Sequence, residues 1–173
     1  MTALIERRAP ERLVILGDLL HARSGRSTTT MAAIAAWRDR HAPLDILLIR
    51  GNHDVRAGDP PADWSMRVLS GPCQDDGDGD ITFAHDPAEC TPRTRAATAF
   101  TLCGHLHPAV GLSSGPHFLR ARCFCFGHST RIGVLPAFGT FTGSRCTEFR
   151  RGDQVLAIGE EPGEVLDVTR AAI

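Results

Sequence analysis

An α/β fold with parallel strands is predicted for this chain, and three features predict it. Four short apolar runs occupy residues 13–16, 46–49, 81–84 and 99–103. Each is four or five residues long and lacks amphipathic alternation, as expected for strands buried on both faces. Between the first two runs, Met31, Ile34 and Ala35 fall at helical spacing, which places a helix from about Thr28 to Arg40. Ser27 is positioned to cap that helix and Pro43 blocks its extension. The third feature is the way the runs end: Gly17-Asp18, Gly51-Asn52-His53-Asp54, His85-Asp86 and Gly104-His105-Leu106-His107. After these come a connecting stretch with turns over 60–80 and a β-rich last third, with strands near 118–126, 133–135, 155–158 and 164–168 between glycine turns.

At 173 residues the chain fits one domain with a real core, and 42% hydrophobic and 23% charged residues are ordinary for a globular protein. A net charge of −1 gives no global electrostatic reason to bind nucleic acid or acidic membranes. All 19 basic residues are arginine, and with so much Ala, Gly and Pro this reads as coding bias. None of the six cysteines forms a C-x-x-C pair, which weakens a zinc-ribbon reading. Cys123 and Cys125 share one face of a strand and are not natural disulfide partners. The start, MTALIERRAPER, has no apolar signal core, and no run approaches the ~18 apolar residues of a membrane span. A reduced, cytoplasmic protein with cysteines as core fillers is the expectation.

Open α/β sheets build their sites at the carboxyl ends of strands, where loops from several strands converge. Asp18, Asn52, His85 and His105 all follow buried runs, and together they make an N/O donor set without a thiolate. In the pair His105-x-His107, Gly104 permits a bend that could aim each imidazole at a different ion. Two ions ~3.5–4 Å apart can clamp a phosphoryl group, and they need a bridging carboxylate. Asp18 is the strand-end acid available for that role. His53 lies beside such a site and could protonate a leaving oxygen, with Asp54 orienting it or raising its pKa.

The sequence G-D-L-L-H, G-N-H-D, a strand-end His and G-H-L-H, in that order, resembles the signature of the calcineurin-like metallophosphoesterases. The resemblance implies a metallophosphoesterase fold, a two-sheet β sandwich flanked by helices, over one domain spanning 1–173. It also implies that Asp18 bridges two metals, that Asn52, His85 and His105 complete one site, that His107 serves the other, and that His53 is catalytic. A narrower match, Arg122-Cys123-Phe124 followed by Leu135-Pro136-Ala137-Phe138-Gly139-Thr140-Phe141-Thr142-Gly143, is similar to the bacterial DNA-ligase-associated branch, the PdeM-like enzymes. Membership there implies phosphodiesterase or nuclease activity on DNA or a cyclic nucleotide. It also implies the company of an ATP-dependent ligase, a helicase and an exonuclease in DNA repair. Mn²⁺ suits the mixed shell, with Zn²⁺ or Fe as alternatives.

The sequence departs from the family at one place. The family's first motif, D-x-H, should precede Gly17-Asp18, yet the 16 residues before Gly17 hold no histidine and no Asp. Residues 2–8 resemble the end of the helix that follows that strand. The second metal site then keeps only Asp18 and His107. A chain that begins further upstream is the favoured explanation, a one-metal or inactive relative the alternative. Asp39-Arg40-His41 spells D-x-H but comes after Gly17-Asp18, at a helix end and before a strand, where its side chains cannot point into the site. Phosphodiester hydrolysis with His53 as acid is the leading function. Phosphomonoester or nucleotide pyrophosphate hydrolysis and a catalytically dead DNA-repair subunit are the alternatives.

Other features read more plainly. The run 76–80 lacks the Gly and Glu of a calcium loop and reads as a solvated turn. His41, His117 and His128 read as surface residues, and His21 as either a substrate contact or a local hydrogen-bonding group. Arg93, Arg95, Arg120 and Arg122 read as scattered surface charge, with backbone contact to nucleic acid as the alternative.

Overall fold

The computed structural model describes residues 1–74, 79–91, 100–140, 142–161 and 163–171. They form two compact units, Met1–Gly71 and Pro72–Ile173. Among them no helix is long and apolar enough to cross a membrane.

The first unit runs α1 (Thr2–Arg8), β1 (Arg12–Ile15), α2 (Thr28–Arg40), β2 (Asp45–Ile49), α3 (Asn52–Ala57) and β3 (Arg67–Leu69). Its three strands form a parallel sheet in the order β1-β2-β3. The central strand is buried as its unbroken apolar run requires, with Ile46, Leu47, Leu48 and Ile49 at 0% exposure. Among the described residues β1 pairs with β2 alone, and its four residues are half-buried, so double-sided burial is too strong an expectation there. Helix α2 begins where its cap predicts, with Ser27 Oγ accepting the Thr30 N–H at 3.2 Å. At its other end the buried Arg38 guanidinium donates to the carbonyls of His41, Ala42, Leu44 and Trp64, tying the turn that follows the helix and the Trp64 loop to its last turn. His41 is buried beside it, contrary to the surface reading, because that turn is folded back under the guanidinium. The stretch read as connecting turns contains β3, which pairs with β2. It is too short to show a period.

The second unit contains β4 (Ile81–Ala84), β5 (Phe100–Cys103), β6 (Pro108–Ser114), β7 (His117–Gly127), β8 (Ile132–Val134), β9 (Arg145–Cys146), β10 (Gln154–Ile158) and β11 (Val165–Asp167). The main path of its sheet is β11-β10-β7-β8-β5-β4, and β6 pairs with both β7 and β9. β4, β5 and β8 are mutually parallel, while β7, β10 and β11 continue antiparallel. Val110, Cys123, Val155 and Ala157 form a core that Leu112, Ala121, Phe149 and Val168 extend. The predicted fifth strand begins at Phe100, and Ala99 lies outside the described residues. Residues 76–78 of the acidic turn, Arg93, Arg95 and Phe141 also lie outside them.

Candidate functional site

In the first unit the loops after β1 and β2 are built around one buried carboxylate. Asp54, 1% exposed, accepts N–H groups from Asp18 at 2.7 Å, Gly51 at 3.0 Å and Leu20 at 3.1 Å. A buried carboxylate costs several kcal/mol unless its lone pairs are met, and three backbone amides meet them here. Asp54 sits at the third position of α3 and reaches back to its cap, so the spacing Gly51-x-x-Asp54 was the available signal. Asp54 therefore does not orient His53, as the sequence had suggested; its lone pairs go to the loops. His53 Nδ1 lies 2.7 Å from the His21 carbonyl oxygen, which makes Nδ1 the protonated nitrogen and leaves Nε2 for chemistry. The His21 ring stacks on it at 3.9 Å and 19°. The His53 N–H in turn donates to Asp18 Oδ1 at 3.0 Å. Gly51 has to be glycine, since a Cβ there would stand 2.3 Å from Asp18 Oδ1. Asn52 is exposed at the first turn of α3.

In the second unit, His85 follows β4 and is 3% exposed, and His105 follows β5. The Gly104 N–H donates to the His85 carbonyl at 3.0 Å, joining the two loops. His85 Nε2 and His105 Nδ1 stand 3.0 Å apart, with the rings edge to face at 4.8 Å. On the far side of the ring, His105 Nε2 lies 3.6 Å from Asp86 Oδ2, a carboxylate the sequence reading passed over. Such carboxylate–imidazole pairs help to fix ring orientation. His107 is held through its carbonyl, which accepts the Arg145 N–H of β9 at 3.0 Å. Below this site, burial pushes the Cys103 thiol up, and its sulfur lies 3.7 Å from that of Cys90.

Three of the candidate ligands share a backbone feature. Asp18 (φ 57), His105 (φ 63) and His107 (φ 48) all occupy the left-handed region, and Gly17 precedes the first of them at φ 89. Non-glycine residues there cost ~1 kcal/mol or more and cluster at functional sites. Asp and His tolerate the region better than most residues. Arg122, by contrast, is not free for a ligand: it donates to the carbonyls of Ala137, Gly139, Thr140 and Thr142 and pins that loop.

Two sheets with helices, and parallel strands that end in carboxylate, carboxamide and imidazole, are the metallophosphoesterase fold. The crystal structure of the Pseudomonas putida nuclease MPE matches 90% of this chain and 71% of that one, at 36% identity and a TM-score of 0.75. The chain belongs to the family of that nuclease. No protein-family model and no curated protein matches it.

Proposed function

We propose that the chain is a metal-dependent phosphoesterase that hydrolyses phosphodiester bonds, as a nuclease or phosphodiesterase. The observation that carries this reading is the 36% identity to a nuclease over 90% of the chain, in a sequence that keeps G-D-L-L-H, G-N-H-D and G-H-L-H in order. Asp18, Asn52, His85, His105 and His107 would hold divalent metal. The donors fit such an ion: two imidazole nitrogens converge to 3.0 Å in one unit, and a carboxylate held by a backbone N–H stands at a strand end in the other. Mn²⁺ is the favoured metal for this mixed shell. An ion held there supplies Lewis-acid activation of water and of the phosphoryl group.

His53 provides the proton. With Nδ1–H donated to the His21 carbonyl, Nε2 carries the acidic proton to the leaving oxygen. Asp54 keeps the Asp18 and Gly51 loops in register while this happens. The ligase-associated branch, and with it a place in DNA repair beside a ligase, helicase and exonuclease, is the narrower form of the proposal. The motif from Arg122 to Gly143 supports it.

The test combines metal binding with turnover. Mn²⁺ at a hundred times its Kd should stabilise the fold by ~2.7 kcal/mol. Asp18→Asn should abolish both that shift and hydrolysis of bis(nitrophenyl) phosphate, because it removes the one full negative charge in the donor set. A wild-type chain that binds no divalent ion and turns over no phosphodiester would refute the reading.

A further inference from the structure

Six cysteines are spread along the chain, and all six are thiols. Two of them meet. Cys103 is the last residue of β5 and is 0% exposed, while Cys90 is partly buried at the end of the loop that carries His85 and Asp86. Their sulfurs stand 3.7 Å apart, in van der Waals contact. Packing accounts for Cys103, a small apolar filler between β4 and β8. It does not account for a second sulfur brought to the first from a loop.

The backbone makes this approach. After β4 the chain folds back in the single turn Pro87–Glu89, where the Ala88 N–H donates to Asp86 Oδ1 at 2.8 Å. The Glu89 and Cys90 N–H groups donate to the Asp86 and Pro87 carbonyls, each at 3.0 Å. Cys103 is held on both sides, in register with Ala84 of β4 and Val134 of β8. One sulfur is therefore fixed in the sheet and the other rides on a short turn. A disulfide bond is ~2.05 Å long, so the sulfurs have ~1.7 Å to close, and the turn can supply that movement. The same turn touches the candidate site. Asp86 opens it, and its carboxylate lies 3.6 Å from His105 Nε2, while Nδ1 of that ring faces His85. Cys103 stands two residues before His105, and Gly104 between them donates to the His85 carbonyl. Drawing the turn toward Cys103 shifts the carboxylate that helps to orient His105.

We propose that Cys90 and Cys103 are a redox modification site: a peroxide converts them reversibly to a disulfide, and closing it weakens the hold of His85 and His105 on a divalent metal. The effect on metal rests on the phosphoesterase reading, and the disulfide itself does not. Cys90 is the sulfur of the pair that a peroxide can reach. That sulfur attacks one peroxide oxygen, the O–O bond breaks, and water leaves a sulfenic acid behind. The Cys103 sulfur then attacks the Cys90 sulfur and the S–O bond breaks. The hydroxyl group departs with the Cys103 proton as a second water. Two thiols thus give two electrons to one peroxide. A dithiol reverses the change by exchange, through a mixed disulfide.

The experiment treats the full metal-free chain with hydrogen peroxide, removes the excess with catalase, and counts thiols in denaturant. The count should fall from six to four, and dithiothreitol should restore it. Peptide mapping after cleavage at arginine and at aspartate should join Cys90 to Cys103. Cys90→Ser should form no such bridge. Cys103→Ala should instead stop at the Cys90 sulfenic acid, which dimedone labels. Calorimetric titration with Mn²⁺ should then show the oxidised chain binding roughly 10- to 100-fold more weakly than the reduced one, the worth of an outer partner to a metal ligand. Peroxide-treated Cys90→Ser should keep the reduced affinity, which assigns the loss to the bridge. Six thiols left after peroxide, or a bridge between any other two cysteines, would overturn the pair. Equal Mn²⁺ affinity in the two redox forms would overturn its effect on the site. A reduced chain that binds no Mn²⁺ would sink the phosphoesterase reading instead, and the thiol count would still decide the pair.

Discussion

At the scale of single residues, Asp54 and His53 sit side by side in G-N-H-D and do unrelated work. Removing the Asp54 carboxylate leaves three amides without acceptors, two of them buried and that of Asp18 partly so, each costing ~1–3 kcal/mol. Asp54→Ala should therefore lose at least ~3 kcal/mol in urea denaturation, with Asp54→Asn intermediate because one oxygen survives. An unchanged midpoint would mean the loops find other acceptors. His53→Ala should behave in the opposite way. It leaves stability and metal content as they are and lowers turnover ~10²–10⁴-fold, the contribution of a general acid. The deficit should shrink with a nitrophenolate leaving group, which needs little protonation; equal deficits on good and poor leaving groups would remove His53 from that role.

At the scale of elements, the first sheet is laced at its lower end by Asp45, the first residue of β2. Its carboxylate meets Arg12 of β1 at 2.7 Å and Arg67 of β3 at 3.1 Å. The Arg67 and then the Arg12 hydrogen bonds hold Asp45 below the usual carboxylate range. A depressed folded pKa stabilises above the unfolded value near 4 and is lost as pH falls through the folded value. All three side chains are about a third exposed or more, so solvent screening keeps the contribution within ~1 kcal/mol. Asp45→Asn should lower Tm by ~1–3 °C at pH 7 in low salt. The difference should fade below pH 4 and in 1 M salt; a difference that persists at pH 2 would assign it to packing instead.

The same sheet shows what the sequence could and could not reveal. β2 and α2 were legible because an unbroken apolar run and a 3.6-residue period with a serine cap each have one structural solution. β3, β6 and β9 were not. β3 and β9 are two or three residues long, and β6 mixes Gly111 and Ser113 among its apolar positions. The placement of Asp18, Asn52, His85 and His105 after strands was legible because each follows a short apolar run. Asp54 was assigned to His53 because adjacency in sequence says nothing about which lone pair faces which amide. The roles of Asp86 and Arg122 depend on contacts across loops, which no local pattern encodes.

At the scale of the whole molecule, the left-handed backbone at Asp18, His105 and His107 amounts to ~3 kcal/mol of strain. Native proteins hold only ~5–15 kcal/mol in reserve, so this is a sizeable share. The remaining structure has to supply it, through the Asp54 clamp in one unit and the joined His85–Gly104 loops in the other.

That strain bears on how the lineage can decay. A descendant released from selection for catalysis gains stability by placing glycine or asparagine at positions 18, 105 and 107, since both residues accept the left-handed backbone more readily. No such gain is available at Asn52 or His85, whose φ angles are not positive. Relatives that have lost activity should therefore be enriched in Gly and Asn at the first three positions and should drift without that bias at the other two. Counting substitutions in assayed, inactive relatives would check this, and an equal bias at all five positions would show that strain had no part in it. Loss of activity in this family would then leave a recognisable fossil, written first at the positions whose backbone is most strained.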